Sequence, residues 1–208
     1  MTASLPSSLR LLAPLLALTM GACASAPTTH YYTLLPSGGA PLAADASYQI
    51  EVMPVDVPSQ VDVPQMVVRT GGGEVVPVDS RRWIAPLPDE LRSALSWQLT
   101  HALSVRDVAG FSKDNAKPTY RVNLRVQRFD SAPGAYARID AVWSVHAGSS
   151  NTVAPVCSSS ASITVPPGYA ELAQGHQQAL ATIAGEIAAS IRAAQTSGKA
   201  PACGASAS

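Results

Sequence analysis

Between Tyr120 and Phe129 the chain alternates apolar with polar residues. Tyr120, Val122, Leu124 and Val126 fall on one side, and Arg121, Asn123, Arg125 and Gln127 on the other. Successive side chains of a strand point to opposite faces, so this strand has one buried face and one that is wet or at an interface. Parallel sheets are covered on both faces, whereas antiparallel sheets tolerate an open one, so the pattern calls for an antiparallel sheet covered on one side. Tyr136 to Ala147 repeats the pattern after a turn at Ser131-Ala132-Pro133-Gly134, with Ile139, Ala141, Trp143 and Val145 inward. A turn from Gly148 to Asn151 leads to a weaker, serine-rich candidate from Val153 to Val165.

Two helical patterns supply the cover. Leu87, Leu91, Leu95, Leu99 and Leu103 recur every fourth residue, with Ala94 and Ala102 beside them, which makes an apolar stripe for packing on a sheet. Pro88 suits a first helical position, and Asp89 and Glu90 suit the positive end of the helix dipole. After Pro166-Pro167-Gly168, Tyr169 to Ala194 carries Leu172, Leu180, Ile183, Ile187 and Ile191 along one side, with alanines 179, 184 and 188 between them. So small a set of side chains lets a helix sit close to its sheet. A helix lying on a membrane would want basic residues opposite, and only Arg192 is there.

The first third is shorter in its elements. His30 to Leu35 reads as a short strand and Tyr48 to Val55 as another, with Tyr48, Ile50 and Val52 on one face. Pro54, Pro58 and Pro64 then punctuate MPVDVPSQVDVPQ; proline donates no ladder bond, so this is an exposed loop or an edge. Met66 to Thr70 and Glu74 to Val78 flank Gly71-Gly72-Gly73 as a hairpin. The triple glycine lacks the Lys-Ser/Thr and the following helix of a phosphate loop. Val105 to Val108 reads as a brief strand. The order of elements predicts an α+β single domain, mainly one antiparallel sheet covered on one face by two helices.

Ahead of all this stands a leader. Arg10 precedes an apolar run from Leu11 to Met20, broken only by Pro14 and Thr19. That is too short for a membrane span of about 20 residues and within the range of about 7–15 expected of a signal core. Gly21-Ala22-Cys23 then resembles the bacterial lipobox, with Met20 where Leu is usual. The alternative is an ordinary secretory signal with a chance cysteine. Residues 1–22 thus read as a lipoprotein signal peptide, 23–30 as a lipidated tether, 31–196 as the folded domain and 197–208 as a flexible tail. Ala24, where an Asp commonly retains such proteins at the inner membrane, favours the outer one. More than one acyl chain on Cys23 makes anchoring stable.

Lysine plus arginine and aspartate plus glutamate both number 14, and loss of Arg10 with the leader leaves the mature chain acidic by a single charge. That balance argues against a nucleic-acid surface. Cys157 and Cys203 are the other cysteines. In an oxidising periplasm they form a disulfide candidate, or else two small unpaired hydrophobes. His30, His101, His146 and His176 are scattered without zinc-ligand spacing, and each reads as a surface or interface histidine. Asp130, Asp140 and Glu171 read as solvated charges. No Gly-x-Ser-x-Gly elbow exists. No enzyme, metal or cofactor is indicated.

The ordered set resembles a known family. The lipobox through Tyr31-Tyr32-Thr33-Leu34, Val55-Asp56-Val57-Pro58 through Val67-Val68-Arg69, and Arg82-Trp83-Ile84-Ala85-Pro86-Leu87 look like ABC-type transport auxiliary lipoproteins of the paraquat-inducible protein C (PqiC) type. Gln127-Arg128-Phe129-Asp130, the Trp143 strand and the Tyr169-to-Ile191 helix complete the set. The resemblance implies an outer-membrane lipoprotein that faces the periplasm and serves a membrane-integrity-associated lipid transporter. It would work with an inner-membrane permease and ATPase and a mammalian-cell-entry (MCE) domain protein, docking their conduit, itself a ring or other homo-oligomer. Tyr31, Tyr32, Pro54, Pro58 and Pro64 are the interface candidates, with Trp83 read as core. The competing classes are a structural or assembly lipoprotein beside an outer-membrane barrel, and a periplasmic ligand-binding protein.

Overall fold

The alternating stretch lies in the longest strand of a four-stranded sheet. The structure, a computed structural model, describes residues 28–38, 46–148 and 153–204. The leader, Cys23 and residues 205–208 lie outside them, as does most of the turn after Gly148. In chain order the elements are β1 (His30–Tyr32), β2 (Gln49–Val52), β3 (Gln65–Gly71), β4 (Glu74–Trp83), α1 (Leu87–Leu103), β5 (Thr119–Ala132), β6 (Tyr136–Ala147), β7 (Cys157–Thr164) and α2 (Tyr169–Ser197).

The fold is α+β, with two helices on mixed sheets. The strands form two sheets rather than one: β2-β5-β6-β7 and β1-β4-β3. β5, β6 and β7 are antiparallel neighbours, while β2 runs parallel to β5 from Gln49 opposite Thr119 to Val52 opposite Val122. The prolines explain the division. After Val52 the chain follows β5 only as far as one bridge, Asp56 to Arg125, because a proline-rich segment cannot continue the ladder. It then leaves this edge, and the β3–β4 hairpin builds the second sheet with β1. The hairpin turns at Gly72 and Gly73, whose φ of 56° and 87° suit a two-residue turn with both φ values positive.

β4 runs on to Trp83, beyond the Val78 end expected from the sequence, because Arg81, Arg82 and Trp83 pair with His30, Tyr31 and Tyr32. Val105 to Val108 is not a strand. Its backbone bonds Ile50 on both sides, while the Asp107 carboxylate accepts from the Val52 and Ala109 amides and from Ser96 Oγ. A side chain thus takes over what a further strand would have supplied.

One face of the larger sheet is apolar. Ile50, Val52, Val122, Leu124, Val126, Ile139, Ala141, Trp143 and Val145 are buried there beneath the two helices. Every leucine of the α1 stripe is buried, as are Leu172, Leu180, Ile183, Ile187 and Ile191 of α2. α2 approaches closely at Gly175, where an added Cβ would overlap Val165 Cγ1 and lie 2.8 Å from Ala137 Cβ. The opposite face carries Arg121, Arg125 and Asp140.

Cys157 and Cys203 are joined, with Cα atoms 5.4 Å apart. Pro201 is buried, and Ser190 Oγ donates to the Ala202 carbonyl at 2.7 Å. Residues 198–203 are therefore held back along α2 onto the start of β7.

Candidate docking surface

The interface candidates divide into two groups that meet at one strand. Trp83 pairs with Tyr32 on one side, and its amide donates to the Pro64 carbonyl at 3.0 Å on the other. The next amide, Ile84, donates back to Tyr32 at 2.9 Å. Tyr31 and Pro64 thus flank β4, with Ile84 at its end. Tyr31 is 58% exposed, Ile84 61% and Leu35 38%, and Pro64 is open to solvent. Tyr32 turns inward and is half-buried against the core. Pro54 is exposed and Pro58 half-buried, farther along the same segment, which Val55 and Val61 pin to the core.

This surface rests on a rigid support. Trp83 is core, buried as read from the sequence. Its ring meets Phe129 edge-on at 5.9 Å and His176 at 6.4 Å, while Phe129 and His176 stack at 3.9 Å. Such aromatic contacts add a specific geometry to burial. The chain after β1 is held by Glu90, whose Oε2 accepts from the Leu34 amide at 2.7 Å and from Thr33 Oγ1 at 2.8 Å. Gln177 Nε2 donates to the Thr33 carbonyl at 3.0 Å. The sequence assigns Glu90 to the helix dipole alone; in the fold it is buried and also clamps another segment.

His176 corrects the reading of a surface histidine. It is fully buried, and Nε2 lies 2.8 Å from Ser131 Oγ, while Nδ1 has no partner. Burial pushes its pKa down to about 3, against a smaller opposing pull from the Asp130 charge. The signal was present: His176 falls four residues from both Leu172 and Leu180, in the gap of the apolar stripe. Asp130 is likewise buried rather than solvated. Its carboxylate accepts from Arg69 Nη2 at 3.0 Å and from Tyr136 Oη at 3.2 Å. His101 is half-buried and stacks on Trp97 at 4.0 Å. Asp140 is half-buried and held below its usual carboxylate range, with burial opposing the hydrogen bonds from Arg138 and Ser160 that lower it.

A serine within reach of a histidine raises the question of nucleophilic chemistry. Here Ser131 and His176 are both shut off from solvent, and the Asp130 carboxylate bonds Arg69 rather than Nδ1. The imidazole is a poor base at its lowered pKa. The group serves packing. Two surface clefts, of about 330 and about 450 Å³, lie by Tyr120, His146 and Lys199 and by Lys113 and Arg121. Both are at the Tyr120 end of β5, away from Phe129. Among the described residues no cluster of three His, Cys, Asp or Glu forms a metal site, and no helix is long and apolar enough to cross a membrane.

No curated protein matches the sequence. Among solved structures, an uncharacterised protein superposes with a TM-score of 0.62 at 22% identity, over 79% of this chain and 99% of that one. A protein from Xanthomonas campestris does so with a TM-score of 0.63 at 19% identity, over 82% and 100%. At these identities the likeness is one of fold. The sequence from 32 to 188 also matches the family model described as ABC-type transport auxiliary lipoprotein component. That match spans most of the chain and includes β2 to β7, the aromatic support and α2 as far as Ala188, so this protein belongs to the family of ABC-type transport auxiliary lipoproteins.

Proposed function

We propose that this auxiliary lipoprotein is anchored in the outer membrane through acylated Cys23 and docks the periplasmic conduit of an MCE-associated lipid transporter. The permease and ATPase of that system sit in the inner membrane, and the ATPase spends the nucleotide. The observation that carries the reading is the proline-rich run from Pro54 to Pro64. It lies along the edge of β5 and β4, anchored by Val55 and Val61 and open on its outer side. A preordered surface loses little entropy on binding, which suits a docking subunit. Subunits arranged side by side through such edges make a ring, the homo-oligomer that a tubular conduit would meet.

Two experiments test the proposal. Cys23→Ala should move the protein from the membrane to the soluble fraction; unchanged retention without acyl label overturns the anchor. Affinity capture of the acylated protein from detergent-solubilised membranes should recover the MCE-domain protein with its permease and ATPase. Recovery of an outer-membrane barrel alone would move the role to barrel assembly.

A further inference from the structure

We infer that the patch formed by Tyr31, Leu35 and Ile84 is a membrane-contact surface that seats the tether end of the domain on the lipid headgroups. The inference rests on the Cys23 anchor and adds an orientation to it.

Three observations meet at this patch. The first is placement. Seven large apolar side chains are exposed among the described residues, and three of them lie on β1, the chain just after it and the end of β4, where the chain enters the fold; Val75 lies at the hairpin end of β4, Phe111 on the loop before β5, and Val153 and Val156 on the segment before β7. The second is reach. Tyr31 follows Cys23 by eight residues, which span at most about 29 Å when fully extended. An acylated Cys23 therefore keeps this end of the domain at the bilayer. The third is chemistry. Tyr31 pairs across the strands with Arg82, so an amphipathic ring and a cation stand side by side next to Ile84. Tyrosine favours the membrane–water boundary, and arginine favours anionic headgroups.

The rest of the fold is oriented by this contact. Trp83 packs on Phe129 at one end of β5, and Tyr120 is at the other. Nine residues of strand at about 3.3 Å each separate those ends by about 30 Å. The surface clefts at the Tyr120 end are thus held away from the bilayer, and the Cys157–Cys203 link, level with Leu124, lies between the two levels, as does the proline-rich edge.

Fluorescence quenching on the full acylated chain tests the orientation. Ile84→Cys and Phe111→Cys variants, their Cys157–Cys203 bond intact, are labelled with bimane and placed in phosphatidylethanolamine–phosphatidylglycerol vesicles containing a headgroup-proximal doxyl lipid. The label at 84 should be quenched at least twofold more than the label at 111, and Arg82→Gln should reduce the quenching at 84. Equal quenching at the two positions, with the acyl mass present on the Cys23 peptide, overturns the membrane contact alone. Absence of that mass overturns the anchor and the contact with it. Shielding of the label at 84 by a second copy in detergent, seen as pyrene excimer emission from the same site, overturns the contact in favour of a subunit interface.

Discussion

Nε2 of His176 lies 2.8 Å from Ser131 Oγ, and neither side chain reaches solvent. The bond ties the first third of α2 to the end of β5, beside Trp83 at the end of β4. Its stability should therefore depend on pH. With the folded pKa at about 3 and the unfolded one near 6.5, the unfolded chain takes up a proton that the folded chain refuses. Stability is then full above pH 6.5 and falls as pH drops toward 3, by about 2 kcal/mol at pH 5. Urea titrations at pH 5 and pH 7.5 should show the loss, and His176→Leu should flatten it. An unchanged slope in the variant would assign the acid sensitivity to other groups.

Gly175 should not tolerate a methyl group. Its Cβ would overlap Val165 Cγ1 and press on Ala137, so Gly175→Ala should cost about 1–3 kcal/mol despite a better helix propensity. Gly185, on the exposed side of the same helix, has open space, and Gly185→Ala should stabilise by about 1 kcal/mol. Thermal denaturation of the two variants should move in opposite directions.

Glu90 holds the segment after β1 in place. Glu90→Ala removes the acceptor of the buried Leu34 amide and of Thr33 Oγ1, and should cost about 1–3 kcal/mol. Hydrogen exchange should quicken at residues 31–35 while β6 stays protected. A uniform increase across the fold would mean that the clamp is global rather than local.

The Cys157–Cys203 link closes a loop over a sequence separation of 46. Replacing both cysteines with serine should cost about 2–4 kcal/mol and release the segment around Pro201 from α2. Mass spectrometry of unreduced peptides checks the pairing, and two free thiols would refute it.

Legibility in the sequence differs from element to element. β6 matches the boundaries set by its alternation, and α1 and α2 follow their leucine and isoleucine stripes, because burial on one face writes a period of 2 or 3.6 directly into the chain. The short strands are less legible. β1 has three residues, and the extension of β4 to Trp83 depends on pairing with it. No local pattern records that Arg81 will find its partner in His30, far back along the chain.

Sequence alone determined the antiparallel core strands, the two covering helices and the proline-rich edge. These follow from local periodicity and the missing proline donor. Tertiary structure decided that the strands split into two sheets and that Tyr31, Ile84 and Pro64 share one surface. It also decided that His176, Asp130 and Glu90 are buried. Each of those outcomes rests on contacts between distant segments, where the hydrogen-bonding needs of one element are met by whichever other element the fold brings beside it.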